Sequence, residues 1–542
     1  MRARPVLVTQ CYEPIEGGLY PWSMKGAIAA GHPLTARTGA DVLAEGGNAV
    51  DACVAAAFAS WVTEAPLTGP GGGGFLLVHR ARDRTTRLLD FYVSYPGQGA
   101  GSPPGEMESI EVDFSGGSTQ VFRVGGASCA VPGTPVGLET AHRAYGSQPW
   151  ARLLAPAIGL ARNGVELNEP QAYLHEILHF ILCSREEGST IYAPGGERLV
   201  TGDRFVQRDL GTTLELLSER GASVLSTGPL ARQLVEHVSG LGGVLTEADL
   251  AGYRAIWRRP VRAELGGYQF LSNPPPATGG ALIAYGLALL DRLGVRGAPG
   301  SAEETALVVE VMREQARIRE RGFASLLYRG GLVRRLLSPE TVEGALERIG
   351  RRREAPAVAA AGISGTTHIS VVDARGNAAS LTASNGAGSG LVVPGTGIHL
   401  NNMVGEYEFV PSRAPVPGRR LTSLMAPSLV LRRGRPRLVV GSAGSLRLHG
   451  AILQTVANVV RHELPVDEAI ARPRVHADGP VVHCEGGADP AELDLLGRTG
   501  YELVRWGGRN LFFGGVSAVE AAPGRSLAAA GDPRRGGAGI VV

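Results

Sequence analysis

The chain has 542 residues, 44% apolar and 19% charged, a globular composition too long for one ordinary core, so several domains or one large layered body are expected. Its 53 Lys/Arg against 51 Asp/Glu leave a formal charge of +2, and no basic block is long enough to be a nucleic-acid footprint. Five cysteines (11, 53, 129, 183 and 484) lie scattered without a CxxC, the start "MRARPVLVTQCYEP" lacks the apolar stretch of a secretory signal, and no apolar run is long enough for a membrane helix; a cytoplasmic protein is the expectation.

In chain order, "GAIAAGHPLT" from Gly26 reads as a short strand, and "ARTGADVLAEGG" as a helix stopped at Gly46-Gly47. Asn48 is placed to cap the next helix, "AVDACVAAAFASWVTEA", whose small apolar residues predict tight burial. Four glycines, Gly71 to Gly74, precede the strand "FLLVHR"; no Gly-Lys-Ser/Thr follows, so close backbone packing is expected rather than a phosphate cradle. "PWARLLAPAIGLARNG" predicts an amphipathic helix closed by Asn163-Gly164, with similar helices over 171–183, 229–240 and 279–293. "NPPPATGG", 273–280, reads as a rigid turn, and 295–304 and 340–362 as polar, weakly periodic stretches. The second of these is the expected flexible segment. From Thr366 the chain turns strand-rich: "THISVVDARGNAASLTA" reads as two strands about an Asp-Ala-Arg-Gly-Asn turn, and "APSLVLRRGRPRLVVGSAG" as more strand before the helix "GAILQTVANVVRHEL".

Three stretches invite chemistry. "HEILH", His175 to His179, fits the H-E-x-x-H pattern that on a helix holds zinc, with Glu176 as base; no third ligand follows at a recognised spacing, and an ordinary helix with two histidines is the competing reading. "GSAGS", Gly441 to Ser445, between a strand and a helix, is either an oxyanion-stabilising backbone turn or a plain connection. The third is Gly365-Thr366, at the start of a strand and after the expected flexible segment. A threonine hydroxyl needs a base, and the α-amine of an N-terminal threonine supplies one once the preceding bond is cut. By itself, Thr-Thr opening a strand is also plain β-propensity.

Together with "HPLTARTGADVLAEGGNAVDA", "GPGGGGFLLV", "VPGTPVGLETAHRAYG", "PPPATGG", "VVPGTGIHLNN", "GSAGS" and "DPRRGGAG", the stretch "GTTHISVVDARGNAASLT" resembles the γ-glutamyltranspeptidase family of N-terminal-nucleophile hydrolases. The resemblance spans nearly the whole chain. It implies an α+β fold, a four-layer αββα sandwich, and a precursor that cuts itself between Gly365 and Thr366. Residues 1–365 would become a large subunit and 366–542 a small one, together one body able to form a homodimer of the processed heterodimer. By the same resemblance Thr366 is the nucleophile, Ser384 and Asn385 support it, Gly444 and Ser445 form the oxyanion site, and Thr422 and Ser423 hold the substrate carboxylate.

The departures bear on substrate. Glutathione-cleaving members carry "DFRE", whose Arg pairs with the glutamyl carboxylate; here "LDFYVSYPG" puts Tyr92 there. They also carry "NNxMDDF", with an Asp for the ammonium; here "NNMVGEYEF" puts Gly405 near that position with Glu406 adjacent. A phenol does not replace a guanidinium's charge or its bidentate geometry. Arg447 or Arg413 are the candidates to compensate. The expected activity is therefore hydrolysis or acyl transfer on a small non-glutathione carbonyl or amide through an acyl-enzyme, with no metal or organic cofactor. The alternatives are a C–C-bond-cleaving hydrolase of antibiotic biosynthesis on the same scaffold, a true γ-glutamyl hydrolase, a silent binding protein and, outside the class, a zinc peptidase.

Overall fold

The computed structural model describes residues 24–113, 119–319, 323–351, 365–406, 416–445, 447–522 and 526–542. The N-terminal 23 residues with Cys11, the stretch 352–364 of the expected flexible segment, and Arg413 lie outside them.

Two antiparallel sheets face each other. Their strands, in chain order, are β1 (Gly26–Ala30), β2 (Gly73–Arg80), β3 (Thr85–Phe91), β4 (Ile256–Arg258), β5 (Val261–Leu265), β6 (Tyr268–Ser272), β7 (Gly365–Asp373), β8 (Ala378–Gly386), β9 (Ser428–Arg432), β10 (Arg435–Ala443), β11 (Gly515–Ala521), β12 (Leu527–Gly531) and β13 (Ala538–Val541). The seven-stranded sheet has the order β13-β1-β7-β8-β2-β3-β4, and the six-stranded sheet the order β12-β11-β10-β9-β6-β5. The part of the chain before Thr366 supplies six of these strands; the two segments interleave in the seven-stranded sheet, while in the six-stranded sheet β6 and β5 form one edge beside four strands from after Thr366.

Helices α1 (Pro33–Ala44), α2 (Ala49–Thr63) and α3 (Trp150–Asn163) share an apolar core with the outer face of the seven-stranded sheet. Helices α4 (Gly279–Leu293), α5 (Ala302–Ile318) and α6 (Arg447–Val460) pack about the six-stranded one. The result is the αββα sandwich.

Local signals hold in detail. Asn48 accepts from the Val50 and Asp51 amides while Asp51 receives the Asn48 N–H, a reciprocal cap that starts α2. Every residue of α2 is buried, as its Ala-rich composition predicts. Gly164 ends α3 at φ 76°, where a β-carbon would be strained. The turn joining β7 to β8 is organised by Asp373, whose Oδ1 accepts from the Arg375 and Asn377 amides at 2.9 Å each.

Two expectations are corrected. Residues 340–350 are not weakly structured: Pro339–Gly350 is a helix capped by Ser338, with Val342, Ala345 and Ile349 on its buried side. Glu340, Glu343, Glu347 and Arg348 are set among the remaining positions, and they masked the period. The helix over 171–183 is broken, running Glu169–Ile177 and then His179–Leu182.

The strands that matter most carry polar residues toward the opposing sheet. On β7, His368 and Ser370 face inward; on β8, Ser380, Thr382 and Ser384 share that side. His368 Nδ1 bonds Thr382 Oγ1 at 2.8 Å and its Nε2 bonds Ser370 Oγ at 2.9 Å, and Ser370 Oγ donates to the Ser517 carbonyl across the gap. Burial drives the His368 pKa down to about 3, so the ring is neutral. Gly441 of β10 lies flat against that imidazole, and a β-carbon there would collide with the ring. Gly441→Ala should therefore destabilise the protein by about 1–3 kcal/mol through overpacking. Chemical denaturation monitored by tryptophan fluorescence measures it, and an unchanged midpoint would contradict this packing.

Candidate active site

Thr366 is buried at the start of β7, and the ladder slips there. Gly365 pairs with Gly386 but Thr367 pairs with Ala383, so Ser384 and Asn385 together oppose Thr366. This is a bulge on β8, a device that re-aims side chains beside active sites. It puts Ser384 and Asn385, which the resemblance pairs with Thr366, directly across from that residue. The four-glycine run lies against them: a β-carbon at Gly72 would collide with the Ser384 carbonyl and the Asn385 side chain. The glycines are therefore required by close backbone approach.

Ser384 Oγ donates to the Gly365 carbonyl, the acyl oxygen of the Gly365–Thr366 bond, and accepts from the Gly386 N–H at 2.9 Å. Asn385 is fully buried; its N–H donates to the Leu67 carbonyl at 2.9 Å, and its carbonyl accepts from the Asn402 N–H at 3.2 Å.

Thr366 separates two small cavities. The front one is also lined by Tyr92, Ser384, Met403, Ser423, Leu424, Met425, Ser445 and Leu448. The rear one is lined, among others, by Gly31, Glu64, Thr367, Asp532 and Arg535.

At the front, Gly444 (φ 119°) and Ser445 (φ 50°) turn the chain from β10 toward α6. A β-carbon on Gly444 would come 2.8 Å from Gly514 Cα, so glycine is needed for space as well as conformation. Positive φ at a serine is uncommon and is characteristic of functional sites. Ser423 Oγ accepts from the Met425 N–H at 3.1 Å, and its carbonyl holds Thr278. Thr422 is buried beside it without lining the cavity.

Tyr92 directs its hydroxyl to Met403 Sδ at 3.0 Å and stacks on Phe75 with ring centroids 5.3 Å apart. Its backbone is anchored on both sides. Asp90 Oδ1 receives the Tyr92 N–H, the Tyr92 carbonyl accepts from Tyr253, and Arg258 and Arg420 pair with the buried Asp90.

Two assigned residues stand elsewhere. Glu406 approaches Gly386 on the far side of Ser384, and Arg447 stacks over Phe512 at 4.1 Å; neither lines the front cavity. The HEILH residues are separated by the helix break. His175 packs edge-on to Tyr192 and Phe205, His179 Nδ1 meets Cys183 Sγ, and Glu176 pairs with Arg198. Among the described residues no three His, Cys, Asp or Glu side chains converge as a metal set.

Several site residues escaped sequence reasoning. Met403, Leu424, Met425 and Leu448 make the front cavity largely apolar. Glu64 and Arg535 stand behind Thr366. A signal existed for Glu64, an acid ending an otherwise apolar helix; Arg535 lies in the quoted "DPRRGGAG" but had no role.

Two facing antiparallel sheets with helices outside each are the architecture of the N-terminal-nucleophile hydrolase class. The γ-glutamyltranspeptidase family profile matches residues 35–542, and the chain belongs to that family. It is 32% identical over 532 residues to the Acylase ACY 1 proenzyme of Pseudomonas sp. (strain SE83), covering 96% of this chain and 94% of that one. It is 31% identical over 544 residues to the Glutathione hydrolase proenzyme of Pseudomonas aeruginosa, covering 95% and 94%. The crystal structure of cephalosporin acylase from Bacillus halodurans shares the fold, with a TM-score of 0.79 at 24% identity over 100% of this chain and 99% of that one. The protein is thus an enzyme of the hydrolase and acyltransferase kind.

Ser384 gives a direct test of the site. On the expectation that the chain cuts itself at Gly365–Thr366, Ser384→Ala, which removes the donor to the Gly365 carbonyl, should slow that cleavage by about 10²–10³-fold, the usual cost of one oxyanion donor. Ser384→Thr should retain most of the rate. A time course of fragment appearance on a denaturing gel reads both.

Proposed function

We propose that this enzyme is made as a precursor, cuts itself between Gly365 and Thr366, and then uses Thr366 to hydrolyse or transfer an acyl group lacking a free amino-acid head. The observation that carries this reading is Thr366 itself. It stands opposite the Ser384–Asn385 bulge, with the preceding carbonyl already accepting from Ser384 and a cavity open in front of its side chain.

In maturation, Thr366 Oγ attacks the Gly365 carbonyl carbon, and the bond to the Thr366 nitrogen breaks as that nitrogen takes a proton. Water hydrolyses the resulting ester, giving chains of 365 and 177 residues. In turnover the freed amine takes the Thr366 hydroxyl proton as Oγ attacks the substrate carbonyl, and hands it to the leaving group. Backbone N–H groups of the Gly444–Ser445 turn are the assigned oxyanion donors, beside the N-terminus of α6, whose dipole favours negative charge. Water or an acceptor amine then releases the acyl group.

The lining of the front cavity supports the substrate reading. Where a glutamyl carboxylate and ammonium would need opposite charges, this cavity presents Tyr92, Met403, Leu424 and Met425. An unpaired carboxylate or ammonium set against such a wall is disfavoured. The similar Pseudomonas sp. (strain SE83) protein is named an acylase, consistent with an acyl substrate of this kind.

Intact-mass analysis of the purified protein, with N-terminal sequencing of the smaller chain, tests the mechanism. A start at Thr366 is expected, and Thr366→Ala should leave one uncut chain. A single uncut wild-type chain that retains activity would overturn the proposal. For substrate, a simple uncharged acyl anilide should be cleaved at least about tenfold more efficiently than the γ-glutamyl anilide, since discrimination by a mismatched charged head exceeds one decade; the reverse order would reject the head-group argument.

A further inference from the structure

Behind Thr366 lie two charged side chains that the proposed mechanism does not use. Glu64 follows α2, almost wholly buried, and its Oε1 accepts from Thr367 Oγ1 at 2.8 Å while Oε2 accepts from Thr35 Oγ1 at 3.4 Å. Arg535 is buried near the C-terminus, and its Nη1 donates to the carbonyl oxygen of Thr366 at 3.3 Å. Its Nε and Nη2 have no hydrogen-bond partner among the described residues.

The backbone is shaped around both groups. A β-carbon at Gly31 would collide with the Glu64 carboxylate, and one at Gly515 with the Arg535 stem. Burying a carboxylate and a guanidinium without direct pairing is costly, and the same volume filled with apolar side chains would be more stable. Stability therefore gives no reason for them.

Their position relative to Thr366 does. A carbonyl oxygen and the nitrogen of the same residue are about 3 Å apart by covalent geometry, so Arg535 Nη1 lies within about 7 Å of the Thr366 nitrogen. That nitrogen is an amide here and becomes the amine when the bond is cut. Glu64 acts from the adjacent residue through the Thr367 hydroxyl.

The other charged and titratable groups around Thr366 are neutral, committed or turned away. Asp532 in the same cavity is paired with Arg474 at 2.7 Å and Arg534 at 3.0 Å. Arg534 also pairs with Glu485. His368 is neutral and bonded through both ring nitrogens. His32, which caps α1, is held neutral by burial, with a pKa lowered to about 4. Tyr92 faces Met403, and Arg447 lies over Phe512.

We propose that Glu64 and Arg535 are opposed positioning residues that set the protonation of the Thr366 amine, Arg535 favouring the free base and Glu64 favouring the ammonium. This rests on the reading of Thr366 as an N-terminal nucleophile. The guanidinium raises the local potential, so the amine sheds its proton at lower pH and is ready as a base near neutrality. The carboxylate limits that effect wherever it is ionised, and an ammonium on Thr366 favours that ionisation at lower pH than burial alone would allow. Burial itself pushes the Glu64 pKa up to about 7, against the pull of Thr367, Arg535 and Thr35. Burial likewise lowers the Arg535 pKa to about 10, against Glu64 and Asp532. Each is thus poised to respond to a charge created beside it.

The experiment is amine-selective arylation of the processed enzyme with dinitrofluorobenzene across pH 5–10, followed by mass spectrometry of the 177-residue chain. It reads the Thr366 amine without any substrate. In the wild type the midpoint should fall below the ordinary amine range of about 7.7–8.0. At a pH one unit below that midpoint, Glu64→Gln should react about three- to tenfold faster and Arg535→Gln about three- to tenfold slower, with Arg535→Lys returning toward wild type. A merely structural role moves both variants the same way or leaves the midpoint unchanged; either result overturns the proposal, as does a wild-type midpoint at or above the ordinary range. If Arg535→Gln does not mature, the wild type and Glu64→Gln decide the question by the same criteria. A small chain that does not begin at Thr366 would instead refute the nucleophile reading, a separate outcome.

Discussion

The structure depends on a polar seam between its two sheets. Hydroxyls and one imidazole from β7 and β8 face β10 and β11, where glycine and serine leave room for them. Buried polar groups cost free energy unless paired, so every hydroxyl along the seam demands a partner in one register. A slip of one residue would turn Ser370, Ser380, Thr382 and Ser384 into the helix-facing core and bring Ile369, Leu381 and Ala383 inward. The seam therefore sets where the ladder must end, and the bulge opposite Thr366 is the form that ending takes.

Two apolar layers make this arrangement affordable in stability. One joins the seven-stranded sheet to α1–α3, and the other joins the six-stranded sheet to α4–α6. They carry the burial that drives folding, while the seam carries specificity. The helices also aim groups at the site. Glu64 arrives because α2 ends there, buried along its length, and the turn before α6 comes to the front cavity because β10 ends at Ala443.

Two cavities meet at Thr366. The front wall draws on the Tyr92, Met403 and Met425 regions, which lie outside the strands of the two sheets. The rear wall is made from α2, the loop after β1 and the segment before β13, all tied to strands of the sandwich. The buried cluster of Arg474, Asp532, Arg534 and Glu485 stiffens that rear segment, and Asp532 also holds the Val516 amide of β11 at 2.8 Å.

Much was legible from local chemistry. The Asn48 cap, the Gly164 stop, the Asp373 turn and the Gly365-Thr366 junction are each decided by a few consecutive residues, because capping, turn geometry and β-propensity act over short range. Helix Pro339–Gly350 was missed because only three buried positions mark its face among many charges. The tertiary structure alone decided the rest. Thr367 meets Glu64 303 residues away, and Thr366 meets Arg535 169 residues away. No periodicity or motif spacing reports such contacts, since they exist only once strands from both halves of the chain lie side by side. By itself the sequence determined the Gly365-Thr366 junction at the start of a strand; the charged groups placed near that threonine came from the packing of distant segments, because such proximity depends on distance through space and not along the chain.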